Sequence, residues 1–288
     1  MIGLAEVSRA LARRWPLAVP EFSPATRNRL KFAAWAAVGI WSAYGILEVV
    51  RFWHFSGGGA DWANLAGATH GNPYDTLGFR WSPIAAWLLA LIVPFGLPLW
   101  QISHFVVLAL LRPRWMALAV LAWWPFWHDV MNGNVLTFVF VAAWLAITGS
   151  RPATLAFYTL VVLMPRPLML PVTAWLLWNE PWSRRWFIAI VAAHLGLVLA
   201  SGLGGDWLHR LLETSAAEVH HPWNWLPSRW IGLAWIPVGL ACAAWLTRRG
   251  RLGFASVLAS PYLFPDYLLL VLLELAPRQT PSAIANGE

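Results

Sequence analysis

The sequence predicts an all-α, polytopic helical membrane protein of about ten transmembrane or half-transmembrane helices. Three observations carry this expectation: a charge-poor composition, apolar segments recurring at about helix length, and basic residues clustered between them. Of 288 residues, 59% are hydrophobic and 11% charged, against roughly 25% charged in a soluble globular chain. That composition excludes a water-soluble domain. The apolar segments are bounded by Arg, Pro or Gly, the punctuation of successive helices in a bilayer. Residues 1–29, 54–82 and 205–229 have weaker apolar bias, and each stretch is too short to bury a core of its own. Residues 30–277 are therefore expected to form one membrane-embedded domain, between a basic N-terminal segment 1–29 and a short tail 278–288.

Nineteen Arg and one Lys against thirteen acids give a net charge of +7. The clusters lie at Arg27, Arg29 and Lys31, at Arg112 and Arg114, at Arg151, at Arg184 and Arg185, at Arg248, Arg249 and Arg251, and at Arg278. Cytoplasmic loops collect such residues, so the charge has a topological explanation and no nucleic-acid partner is implied. Each interval between clusters reads as a hairpin that leaves the cytoplasm and returns. The ten crossings fall near 30–53, 96–111, 115–128, 135–149, 152–165, 168–179, 186–204, 230–247, 252–264 and 266–277. A 14-residue helix rises only about 21 Å against a hydrocarbon core of roughly 30 Å, so the shorter segments are expected to be half-helices or re-entrant pairs. Residues 83–95, ending at Pro94 and Pro98, read as a segment lying at the outer interface.

Ile2, Leu4, Val7 and Leu11 fit an amphipathic helix on the cytoplasmic surface, and a frayed basic tail fits equally well. Many of the 23 Trp sit at expected helix ends, where amphipathic rings anchor in the headgroup region, with a few left to stack on a sugar. The single cysteine, Cys242, lies in an apolar segment and allows neither a disulfide nor a thiolate cluster.

The loops opposite the basic ones hold the polar residues that are not simple counter-charges. The first carries His54, Asp61, Asn64, His70, Asn72, Asp75 and Arg80; the second His128, Asp129, Asn132 and Asn134; the third Arg166 between Pro165 and Pro167. The fourth, 205–229, holds Asp206, His209, Arg210, Glu213, Glu218, His220, His221 and Arg229, and the fifth holds Asp266. An apolar chain that gathers carboxylates, imidazoles and Arg on one face is suited to a polar substrate there. No Walker loop, HExxH or nucleophile elbow is present. Gly57-Gly58-Gly59 reads as a flexible loop. Adjacent His220 and His221 lack a carboxylate at helical spacing, so no metal is expected.

The stretch Gly59-Ala60-Asp61, followed by small residues to His70, then Gly71-Asn72-Pro73-Tyr74 and Phe79-Arg80-Trp81-Ser82-Pro83, resembles the first outer loop of the polyprenol-phosphate-mannose-dependent mannosyltransferases. These are GT-C glycosyltransferases of family 87. Asn132-Gly133-Asn134-Val135 is similar to the family's Gly-Gln-Val-Asn at a helix start, and Pro165-Arg166-Pro167 resembles its Lys-Pro turn. Ser260-Pro261-Tyr262 with Pro265-Asp266-Tyr267 looks like its late Ser-Pro and His-Tyr element. The departures are Asn134 for Gln, Arg166 for Lys and Asp266 for His, in a shortened chain. The resemblance implies a GT-C-like fold and transfer of a sugar, mannose above all, from a polyprenyl-phosphate donor to a lipid- or glycan-linked acceptor. It implies no cofactor and no metal. The implied setting is the bacterial cytoplasmic membrane, with the active face outside and membrane lipids as partners.

The residues suit that chemistry by themselves. Transfer from a lipid phosphate needs a base for the acceptor hydroxyl and cations for the departing phosphate. Asp61, just outside the first crossing, is the candidate base of an inverting transfer. Arg166 lies in an apolar region where an unpaired guanidinium is costly, so it is the first candidate for the phosphate, or else an ion-pair partner of Glu48 or Asp129. Arg80, His220 and His221 are secondary phosphate candidates, and Tyr74, Asp129, Asn132, Asn134 and Asp266 complete the candidate site. A transporter would be expected to show matching halves, which the chain lacks; a non-catalytic membrane scaffold is the other alternative.

Overall fold

The computed structural model describes residues 59–76, 79–221 and 224–277, together with six isolated positions between 36 and 47, all of them helical. The expected N-terminal segment 1–29, the tail 278–288, Glu48 and His54 lie outside the described residues, as does most of the crossing expected at 30–53. Every regular element among the described residues is a helix. In order they are α1 (Ala60–Gly67), a 3-10 turn at Pro73–Asp75, α2 (Pro83–Ala90), a 3-10 turn at Val93–Phe95, and α3 (Gly96–Leu108). Then come α4 (Trp115–Leu121), α5 (Trp124–Asn132), α6 (Leu136–Ile147), α7 (Arg151–Leu163), a 3-10 turn at Pro167–Met169, and α8 (Leu170–Asn179). The last are α9 (Pro181–Ser201), α10 (Gly204–Val219), α11 (Ser228–Ile231), a 3-10 turn at Gly232–Ala234, α12 (Trp235–Arg248), α13 (Leu252–Ala259) and an eleven-residue 3-10 helix at Pro265–Leu275.

The local signals that start and stop these helices are ordinary ones. Proline, which has no N–H to waste, stands in the first turn of α2, α5, α7, α8 and α9. Ser82 and Ser150 cap α2 and α7, their hydroxyls accepting from Ala85 N at 3.3 Å and Ala153 N at 3.4 Å. Gly133 and Gly202, at φ 68° and 72°, end α5 and α9 in the left-handed conformation.

α6 is the centre of the molecule. Apart from Thr137 it is apolar all round, and Leu136, Val139, Phe140, Ala143, Trp144 and Ile147 are all buried, which is how such a helix must sit when it is not facing lipid. It packs against α3, α7 and the 3-10 helix Pro265–Leu275.

Among the described residues, two helical stretches are long and apolar enough to cross a membrane: α9, and the run Ser228–Arg248 that joins α11 to α12, each of 21 residues. At 1.5 Å per residue each rises about 32 Å, the thickness of the hydrocarbon core. They are also among the least buried, with Ile188, Leu197, Leu199 and Trp230 facing outward. α2 and Val93–Leu108 make a third candidate if the pair, bent by 41°, is one broken span. Of the segment expected to lie along the interface at 83–95, residues 83–90 form the first limb of that bent pair and residues 93–95 begin the second.

Helices occupy most of the other expected positions, but they are short. The stretch 115–128 is broken at Trp123 between α4 and α5, and α13 has 8 residues, about 12 Å of rise. The largest correction concerns 205–229, expected as a loop: most of it is the 16-residue α10. Its acids and bases suppressed the helix reading, yet they lie on a surface helix, where charge is no obstacle.

Candidate active site

The first outer segment is held against the rest of the chain by close backbone approach. A Cβ on Gly59 would stand 2.3 Å from the carbonyl carbon and oxygen of Asn132, so only glycine lets the start of α1 meet the end of α5. On the other side of that contact, a Cβ on Gly133 would come within 2.8 Å of Trp62 Cβ. Gly59, expected as part of a flexible loop, is buried and serves as a packing residue. The contact fixes Asp61, in the first turn of α1, above the α5–α6 connection.

That connection is itself over-determined. Asp129 accepts hydrogen bonds from Leu136 N at 3.1 Å, Thr137 N at 2.8 Å and Thr137 Oγ1 at 2.6 Å, capping α6 with its carboxylate. From α3, Trp100 Nε1 donates to Gly133 O at 2.9 Å, Gln101 Nε2 to Val130 O at 3.2 Å, and His104 Nε2 lies 2.9 Å from Asn134 O. Asn132 turns back onto its own helix, donating to His128 O at 3.1 Å. Asn134, by contrast, faces inward.

Arg166 enters from the turn between α7 and α8. As the residue before Pro167 it is held extended, at φ −125° and ψ 130°. Its side chain is only 8% exposed, and Nη2 donates to Asn134 Oδ1 at 3.3 Å. The other face of the same amide donates to Asp266 Oδ2 at 2.9 Å, so Asn134 links the guanidinium to a buried carboxylate. Arg166 Cζ lies 5.6 Å from the Tyr267 ring centre and 6.0 Å from that of Trp81, two aromatic faces that suit a desolvated cation. Its Nε and Nη1 have no hydrogen-bond partner among the described residues.

Arg80 comes from the segment tied to the end of α7 by Ser82 N donating to Leu163 O at 2.9 Å. Its Cζ sits 5.5 Å from the Tyr262 ring centre, and Nη1 is ion-paired with Glu218 Oε1. Asp61, Asn64, Phe79, Arg80, Trp81, Asn134 and Arg166 line one small cleft, whose free volume of about 20 Å³ is room for about one water. Burial pushes the Asp61 carboxyl above its ordinary range, and Arg166 and Arg80 pull it back.

Asp61, Arg80, Asn134 and Arg166, expected from the sequence, therefore converge, with Asp266 bonded from behind. Tyr74 has a structural place: its hydroxyl donates to Trp81 O at 3.0 Å. Neither His220 nor His221 lines the cleft; both are exposed, His220 Nδ1 lying 3.3 Å from Arg229 O and His221 packing on the Phe264 ring. Among the described residues no group of three His, Cys, Asp or Glu side chains could hold a metal.

The helix α10 adds what sequence reading left out. Its Asp206 accepts from Asn72 Nδ2 at 3.2 Å, Trp207 Nε1 donates to Arg80 O at 3.2 Å, Arg210 Nη2 donates to Tyr74 O, and Glu218 pairs with Arg80. α10 thus lies across the 72–82 segment as a cover. The stacking faces of Trp81, Tyr262 and Tyr267 were present in the motifs, but nothing in their spacing shows that they would flank two arginines.

Comparisons with protein-family models, with curated proteins and with solved structures find no match to this chain.

Proposed function

We propose that the protein is a membrane glycosyltransferase that moves a sugar, mannose by its resemblance to family 87, from a polyprenyl-phosphate donor to a lipid- or glycan-linked acceptor on the non-cytoplasmic face. The observation that carries this reading is the meeting of two guanidiniums and one carboxylate in a single cleft. Among the described residues Arg166 has two buried donors unpaired, which is the arrangement an anion would complete. In this mechanism Asp61 takes the acceptor hydroxyl proton, the oxygen attacks the anomeric carbon from the opposite side, and the bond from that carbon to the phosphate oxygen breaks. The polyprenyl phosphate leaves with the electron pair, received by Arg166 and Arg80. Asn134 and Asp266 hold Arg166 in place. The raised carboxyl of Asp61 suits a base that must gain a proton as the transition state forms.

The same reading takes the chain as GT-C-like, with about ten crossings and half-crossings. A scaffold would not need an arginine with unsatisfied buried donors. The test is to incubate the purified protein with radiolabelled polyprenyl-phosphate mannose and a membrane lipid extract. A labelled product dependent on the protein supports the reading, and its absence with every polyprenyl-phosphate sugar offered sinks it.

A further inference from the structure

A second cavity lies far from the cleft in character and in lining. It has a volume of about 890 Å³, near the top of the roughly 300–1,000 Å³ range of ligand pockets. α8 forms one wall through Leu170, Ala174 and Trp178, and α12 forms the other through Leu240, Ala244 and Thr247. The walls are apolar and face outward: Trp178 is 81% exposed and Leu170 50%. Among the described residues no acidic one lines the cavity, while Arg248 and Arg249 line one end of it.

The dimensions and the charge choose the occupant. α8 has 10 residues, so the groove runs about 15 Å, half the hydrocarbon thickness and therefore one leaflet deep. The cations of the lining, Arg248 and Arg249, stand together at the C-terminus of α12. Arg249 Cζ is held 4.0 Å over the Trp245 ring, and a third guanidinium is pinned nearby, Arg184 Nε donating to Leu177 O at 2.7 Å. The nearest acid in sequence, Glu180, is engaged by Trp182 Nε1 at 2.8 Å. A groove one leaflet deep with a basic mouth matches an anionic lipid, chain in the slot and phosphate at the arginines. A zwitterionic lipid would bring its own cation to the same mouth.

We propose that the α8–α12 groove is a binding site for an anionic diacyl phospholipid of the leaflet that faces the basic loops, with Arg248 and Arg249 holding its phosphate. The site is independent of the cleft at Asp61 and of the reaction assigned there.

The test is native mass spectrometry of the full chain released from nanodiscs containing phosphatidylglycerol or phosphatidylcholine of identical acyl chains. Wild type should retain phosphatidylglycerol at least about tenfold better than phosphatidylcholine. R248Q with R249Q together should abolish that preference. A174W, at an exposed position where a larger side chain fills the slot without disturbing the core, should reduce retention of both lipids. Equal retention of the two lipids by wild type would overturn the proposal. So would phosphatidylglycerol retention unchanged in both variants, or a chain dimer that A174W dissociates while lipid retention stays as it was.

Discussion

Glu218 closes onto Arg80: the Oε1 of a residue at the end of α10 is ion-paired with the Nη1 of a residue 138 positions earlier, at the rim of the cleft. The pair is part-buried, with side chains 14% and 18% exposed, and it neutralises one of the two guanidiniums assigned to the donor phosphate. On the proposed function, an internal carboxylate therefore occupies the place that the donor phosphate would take.

Removing that carboxylate should help the donor. Opening a partly exposed ion pair costs about 1 kcal/mol, so Glu218→Gln is expected to lower the donor KM about fivefold, with a fall in thermal stability of similar energy. Steady-state kinetics with a polyprenyl-phosphate sugar measures it. A raised donor KM would show instead that Glu218 holds the donor itself.

Arg166 is the harder cation to replace, because it is buried and its amide partner Asn134 is fixed from the other side by Asp266. Arg166→Ala should raise the donor KM by roughly 10- to 100-fold, the worth of about 1.5–3 kcal/mol for a hydrogen bond to a charged group. Arg166→Lys keeps the charge, loses the fork and should fall between. An unchanged donor KM in the alanine variant would remove Arg166 from the site.

The pairing of those predictions shows what the sequence made legible. A guanidinium between two prolines in an apolar stretch already called for an anion, and Asp61 stood out as a carboxylate just beyond a helix. The topology put Asn134 and Asp266 among the polar residues of the outer loops, and the resemblance to a family singled them out, since neither has a local signal of its own. Glu218 was one polar residue among many in a stretch read as loop; its role depends on α10 docking across the 72–82 segment, and long-range docking leaves no trace in periodicity. The interior polar face of α3, with Gln101 and His104, was equally hidden, because two polar residues in an apolar helix do not say which backbone carbonyls they meet. Several helix positions were readable from composition, but α1 and α10 were not, and neither were the lengths: Trp123 breaks α4 from α5 with no Gly and with its Pro only at the following turn.

Gly59 tests the packing independently of any reaction. Alanine there would place its Cβ 2.3 Å from backbone atoms of Asn132, which cannot rotate away. Gly59→Ala should cost about 1–3 kcal/mol, the usual penalty of overpacking, and should displace Asp61 with α1. Thermal unfolding of the purified variant measures the first effect, and turnover the second. Wild-type stability would mean that α1 does not rest on α5 as described.

The base assignment makes the sharpest prediction. Asp61→Asn keeps shape and hydrogen bonding but removes basicity, so kcat should fall at least about a hundredfold while donor Kd changes little. Stability should not fall with it. Burial raises the folded-state pKa of Asp61 above its unfolded value, so the charged carboxylate is a cost to the fold at neutral pH, fading only as pH falls through that raised pKa. Asparagine removes that cost, and its melting temperature should match or exceed wild type at pH 7. The pH profile supplies a second check with a definite sign. Activity requires the deprotonated form, so kcat should rise with pH along an acidic limb whose midpoint lies above about 3.9, the ordinary aspartate value. Wild-type turnover in a folded Asp61→Asn protein would sink the assignment and turn the search for the base to Asp266, the carboxylate on the far side of Asn134.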